Sequence, residues 1–84
     1  MRLRASVRRA TGFTRHIIHG RESEDLASNI AWVEAEPANG AVYLFYFSVH
    51  GECLTDTWHE SLDGAKHQAR LEFAIEEADW EEVT

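Results

Sequence analysis

The chain has 84 residues, 44% of them hydrophobic, 27% charged and 11% aromatic. That length excludes a second core, and that composition excludes a disordered chain. Eight Arg and Lys against fifteen Asp and Glu give a net charge of −7. The charge is unevenly spread. Arg2, Arg4, Arg8, Arg9, Arg15 and Arg21 occupy the first 21 residues, which contain no acid. All fifteen acids follow, opposed only by Lys66 and Arg70. Such a body repels phosphate backbones and attracts basic protein surfaces.

Residues 1–12 show no clean periodicity and are read as a flexible basic arm ahead of one α+β domain over residues 13–84. The arm, Met1 to Gly12, also has the composition of a transit peptide, and contacts with nucleic acid or with the chain's own acidic body are its other readings. Phe13 to His19 alternates roughly and contains Ile17 and Ile18, which predicts a strand. Gly20 to Asp25 reads as a polar turn, and Leu26 to Ser28 extends it or opens a short helix.

Asn29 to Glu36 predicts a second strand, with Ala31, Val33 and Ala35 on one face and Ile30, Trp32, Glu34 and Glu36 on the other. Pro37-Ala38-Asn39-Gly40 is a hairpin connection, with Asn-Gly its strongest signal. Ala41 to Val49 is apolar, aromatic and β-branched on both faces, as expected of a central strand. His50-Gly51-Glu52 makes the next turn. Cys53 to Trp58 predicts a fourth strand, with Cys53, Thr55 and Thr57 pointing one way and Leu54, Asp56 and Trp58 the other.

Ser61 suits the N-cap of a helix starting at Leu62, with Asp63 favourable in its first turn. Leu62, Ala65, Ala69 and Phe73 form one apolar stripe, and the helix is expected to reach about Ala78. Trp80 and Val83 then fold back as a tail anchor. The order β-β-β-β-α predicts a small antiparallel sheet of three to four strands with one C-terminal helix packed on one face.

Residues 30–83 resemble a set of small bacterial proteins of uncharacterised function. The resemblance is carried by Ala31-Trp32-Val33-Glu34, the aromatic run Tyr43 to Phe47, Gly51-Glu52 and Asp56-Thr57-Trp58-His59. It continues through Ser61-Leu62, Ala65-Lys66, Gln68-Ala69, Glu72-Phe73 and Trp80-Glu81. It implies a compact family domain and supplies no activity.

The chemistry-bearing residues are sparse. A structural zinc site needs four ligands, commonly in close pairs. His16 and His19 would point to opposite faces of a strand, and Cys53 has no cysteine partner. Cys53 and His59 share strand parity, so a metal or catalytic site near Cys53–His59 stands as an alternative reading. Asp56 and His59 resemble an acid–base pair with Ser61 as nucleophile, but Asp56 and His59 have opposite parity. Ser61 is better explained as a cap. No catalytic residue, metal ligand or cofactor is therefore assigned.

One helix covers one face of a sheet, so the other face is expected to expose Trp32, Tyr46 and Leu44, or their counterparts. The acids Glu72, Glu76, Glu77, Asp79, Glu81 and Glu82 form a solvated face. These features predict a non-enzymatic protein-interaction module for a basic protein partner. Its expected contacts are Trp32, Tyr46, Trp58, Glu76, Glu77, Glu81 and Glu82. A self-associating homodimer, pairing sheet faces or the Phe13 to His19 edge, is a further alternative. One cysteine, no signal-peptide stretch and no apolar run of ~18 residues point to the cytoplasm rather than a membrane.

Overall fold

The computed structural model describes residues 2–9, 11, 17–18, 21–22 and 29–83. Seven strands are seen among them: β1 (Arg2–Ser6), β2 (Ile17–Ile18), β3 (Arg21–Glu22), β4 (Ile30–Ala38), β5 (Ala41–Ser48), β6 (Cys53–His59) and β7 (Glu81–Val83). One described helix, α1 (Leu62–Phe73), and a 3-10 turn at Glu77–Asp79 precede β7. Five strands form one antiparallel sheet in the order β6-β5-β4-β1-β7, and β2 pairs with β3. The α+β expectation holds, and the sheet is wider than expected.

The extra width comes from the two ends of the chain. Residues 1–12 were expected to be a flexible arm. Instead, Arg2–Ser6 inserts between β4 and β7, and Ala5 is buried against the core. The acidic tail closes the sheet as β7, with Arg2 opposite Val83 and Arg4 opposite Glu81. A segment with two arginines in five residues enters a sheet because Arg2 and Arg4 alternate with Leu3 and Ala5, a half-buried strand pattern. Of the predicted strand Phe13 to His19, Ile17–Ile18 is a strand, and Arg21–Glu22 within the predicted turn is its partner. The rest of 12–28 lies outside the described residues.

Local chemistry explains the central hairpin. Asn39 (φ 52°) and Gly40 (φ 81°) form a two-residue turn of left-handed residues between Ala38 and Ala41. Such a turn matches strand twist and fixes register. The β5–β6 connection turns at Gly51 (φ 84°) and is held by Ser48, whose hydroxyl accepts from the amides of His50 (3.2 Å) and Glu52 (3.3 Å).

Two register shifts redirect side chains. Ile30 pairs with Ser48 while Trp32 pairs with Phe47, so Ala31 is the extra residue. Ile30 therefore turns into the core, not onto the Trp32 face as strict alternation predicts. A second shift lies between Tyr46–Thr55 and Phe47–Cys53. It sends Leu54 toward the core and Cys53 to the face of Asp56 and Trp58.

The helix begins as expected: the Gly64 amide donates to the Ser61 hydroxyl at 3.0 Å. It ends at Phe73, short of the expected Ala78. Ala74 adopts a left-handed conformation (φ 55°) and its amide bonds the Arg70 carbonyl at 2.9 Å. That reversal buries Ile75 and carries the chain to the sheet edge. The core joins Ala65, Ala69 and Phe73 of α1 to Ala5, Ile30, Val33, Ala35, Val42, Leu44 and Tyr46 of the sheet. Each fully buried Val, Leu, Ile or Phe contributes roughly 1.5–3 kcal/mol.

Candidate functional site: the open face of the sheet

Strand pairing sorts the side chains into two layers. Val42, Leu44 and Tyr46 of β5 point toward α1 and are buried. Tyr43, Phe45 and Phe47 therefore point to the opposite face, which no described helix covers. Their neighbours follow from the register. Trp58 of β6 and Glu36 of β4 flank Tyr43; Asp56 and Glu34 flank Phe45; Cys53 and Trp32 flank Phe47. Beyond β4, Arg4 lies opposite Glu34, and Glu81 lies opposite Arg4.

The face is built of rings and charges in contact. Trp32 and Phe47 stack with centroids 5.1 Å apart and planes at 8°. Tyr43 and Phe45 stack at 6.0 Å. The Arg4 guanidinium lies 4.4 Å over the Trp32 ring, and that of Arg2 lies 5.4 Å over Phe45. Arg2 pairs with Glu34 and donates from Nη1 to Glu36 at 2.9 Å. Trp32 Nε1 donates to Glu34 Oε2 at 2.7 Å. Trp58 stands at the other side of the aromatic column and is 57% exposed.

The seven expected contact residues do not form one surface. Trp32, Trp58 and Glu81 share the open face. Glu82 pairs with Leu3 and so points to the other side of β7. Glu76 and Glu77 belong to the helix layer, where Glu77 bonds Lys66 Nζ at 2.6 Å and Glu76 lies 3.9 Å from Arg70 Nε. Tyr46 is corrected outright: it is 0% exposed beneath α1 and contacts no surface. Its counterparts Tyr43, Phe45 and Phe47, with Arg2, Arg4 and Asp56, are the residues that reading parity alone missed. The signal was the Asn39-Gly40 turn, which sets Glu34 and Glu36 opposite Phe45 and Tyr43 and so marks their face as solvent-facing.

Tyr46 instead belongs to an internal polar network. Its hydroxyl donates to the carboxylate of Glu72, which is 0% exposed and also accepts from Gln68 Nε2 at 2.7 Å. The hydroxyl lies 3.3 Å from Thr57 Oγ1, which is 2.7 Å from His59 Nε2. Burial, then the negative charge of Glu72, holds the Tyr46 phenol far above its ordinary value. Burial lowers the affinity of His59 for a proton, and the charge of Glu72 acts in the opposite sense.

The grouping of Cys53 with His59 does not survive the second register shift. Cys53 is exposed on the open face opposite Phe47, whereas His59 is opposite Val42 on the helix face. Asp56 is on the open face too, and Ser61 caps α1. No group of three or more His, Cys, Asp or Glu is placed to hold a metal among the described residues. A groove of about 640 Å³ beside β7 is lined by Arg4, Arg8, Asp79, Glu81 and Glu82, so charges of both signs meet in it. No helix among the described residues is long and apolar enough to cross a membrane. Compared with known proteins, the chain matches no family model, no curated protein and no solved structure.

Proposed function

We propose that the domain is a non-catalytic protein-interaction module that holds a basic protein partner against the open face of its sheet. The observation that carries this is the aromatic column Tyr43, Phe45 and Phe47 on the face opposite α1, flanked by Trp32 and the exposed Trp58. Aromatic residues are enriched in the centres of protein interfaces, where they supply large rigid contact area. The net charge of −7 favours a basic partner. Glu81 at the edge of that face supports the attraction, while Glu82 on the other side of β7, and Glu76 and Glu77, already engaged by Arg70 and Lys66, support it less. The exposed lone Cys53 fits a reducing compartment, and the partner is sought in the cytoplasm.

The test compares partner capture by the parent with two double variants. Trp58→Ser with Phe47→Ser should weaken capture by about 30-fold, the scale of an interfacial hot spot, with an unchanged circular dichroism spectrum. Glu76→Lys with Glu77→Lys should slow association and leave retention intact. Full capture by the open-face variant would refute the reading.

A homodimer is the second reading. In the described sheet β6 is an edge strand of seven residues with a partner on one side only, and such edges can pair with another chain. Sedimentation of the purified chain across concentration separates this from a monomer.

A further inference from the structure

The open face already displays how it receives a cation. Arg2 lies over Phe45 with its guanidinium on Glu34 and Glu36. Arg4 lies over Trp32 with Glu34 and Glu81 as cross-strand neighbours. In each case a planar guanidinium covers a ring beside a carboxylate. These pairs occupy the β1 and β4 side of the face and reach as far as Phe45 of β5.

The other half repeats the acceptor side without a cation. Asp56 is opposite Phe45, and Trp58 is opposite Tyr43. Trp58 is 57% exposed, and the exposed Asp56 carboxylate has no hydrogen-bond or ion-pair partner among the described residues. An exposed ring, a half-buried ring and an exposed carboxylate with no described partner therefore sit on adjacent strands, within a chain of net charge −7.

We propose that Asp56, Trp58 and Tyr43 form the docking site for an arginine side chain of the partner protein. The guanidinium lies over the Trp58 ring and directs its in-plane N–H groups at Asp56. Arginine fits better than lysine, because a plane that stacks on a ring still presents donors at its edge. Phosphate groups are disfavoured at this site by the same carboxylate that attracts the arginine. This inference rests on the open-face reading and names the chemistry of the partner there.

Amide and indole NMR of the full chain, titrated with hexa-arginine amide, tests it. Hexa-citrulline amide, which keeps shape and hydrogen bonding without charge, is the control. The Trp58 indole and the amides of β5 and β6 should shift saturably with the arginine peptide and not with the citrulline peptide. Asp56→Asn, read at the Trp58 indole, should weaken binding about two- to fivefold, as expected for a partly exposed ion pair. Trp58→Leu, read at the Tyr43 amide, should weaken it by a similar factor of about two to five. Shifts confined to Glu76–Glu82 would overturn the site. Equal shifts with both peptides, or no effect of Asp56→Asn, would overturn it too. Shifts at Trp32 and Phe47 with none at Trp58 would overturn the site while leaving the open-face reading standing. If partner capture survives loss of Trp58 and Phe47, both fall.

Discussion

Tyr46→Phe removes a single oxygen from the middle of the domain and leaves the ring in place. The ring is fully buried and packs edge-on against Phe73 at 5.8 Å, so no cavity larger than the hydroxyl forms. The losses include the donation to the Glu72 carboxylate and the 3.3 Å contact with Thr57. Glu72 keeps the Gln68 amide at 2.7 Å. A hydrogen bond to a charged acceptor nets roughly 1.5–3 kcal/mol, and removing the hydroxyl also removes its own desolvation, so about 2 kcal/mol of destabilisation is expected. Unfolding entropy of ~2.1 cal/mol/K per residue makes that about 11 °C in Tm for this 84-residue chain. Thermal melts and urea titrations followed by circular dichroism at pH 7 measure it, with the urea slope unchanged.

The same variant carries a pH signature. The Tyr46 phenol is raised in the fold, first by burial and then by Glu72, so above its ordinary value of ~10 the unfolded chain releases the proton first. The parent therefore loses stability as pH climbs past ~10, and the Phe variant lacks that loss. The gap between them narrows in alkali. A Tm change under about 3 °C at pH 7, or a gap that stays constant above pH 10, would refute the role assigned to the network.

His59 titrates lower in the fold because burial disfavours its charged form, so the folded state loses stability as pH falls below ~6.5. His59→Gln should lose less stability than the parent between pH 7 and 5, measured by urea titration at each pH. Ala74 holds a left-handed conformation at the helix end, where Gly is less strained. Ala74→Gly should stabilise by about 0.5 kcal/mol and raise Tm by a few degrees. A chain beginning at Arg8 lacks β1, which bridges β4 and β7 and buries Ala5. Its melt should lose cooperativity, whereas a free arm would leave the transition unchanged.

The elements legible in the residues are those specified within a few positions of themselves. Asn39-Gly40 supplies two left-handed residues, and Ser61 supplies an acceptor for the Gly64 amide. Both act over three residues or fewer, so the hairpin and the helix start follow without the rest of the fold. The face of β5 was partly legible. Alternation alone leaves Tyr46 and Phe45 equivalent, because both faces of Ala41–Ser48 are apolar. The turn register breaks the tie, since it aligns Glu34 and Glu36 with Phe45 and Tyr43.

Alternation fails at Ile30 and Cys53 because each bulge adds one residue and inverts every side chain beyond it. The helix ends at Phe73 although Ile75 to Ala78 could continue it, and the left-handed turn at Ala74 leaves Ile75 buried in the core.

Residue order by itself determined an α+β domain of antiparallel strands, its central hairpin and the capped start of its helix, since each depends on neighbours in the chain. Tertiary structure alone decided that Arg2–Ser6 is an interior strand, that the acidic tail forms an edge, and that Tyr46 is core while Trp58 is surface. Pairings such as Leu3 with Ala35 and Arg4 with Glu81 join residues far apart in sequence. Their stability comes from the whole sheet closing over one core, which no local segment can supply.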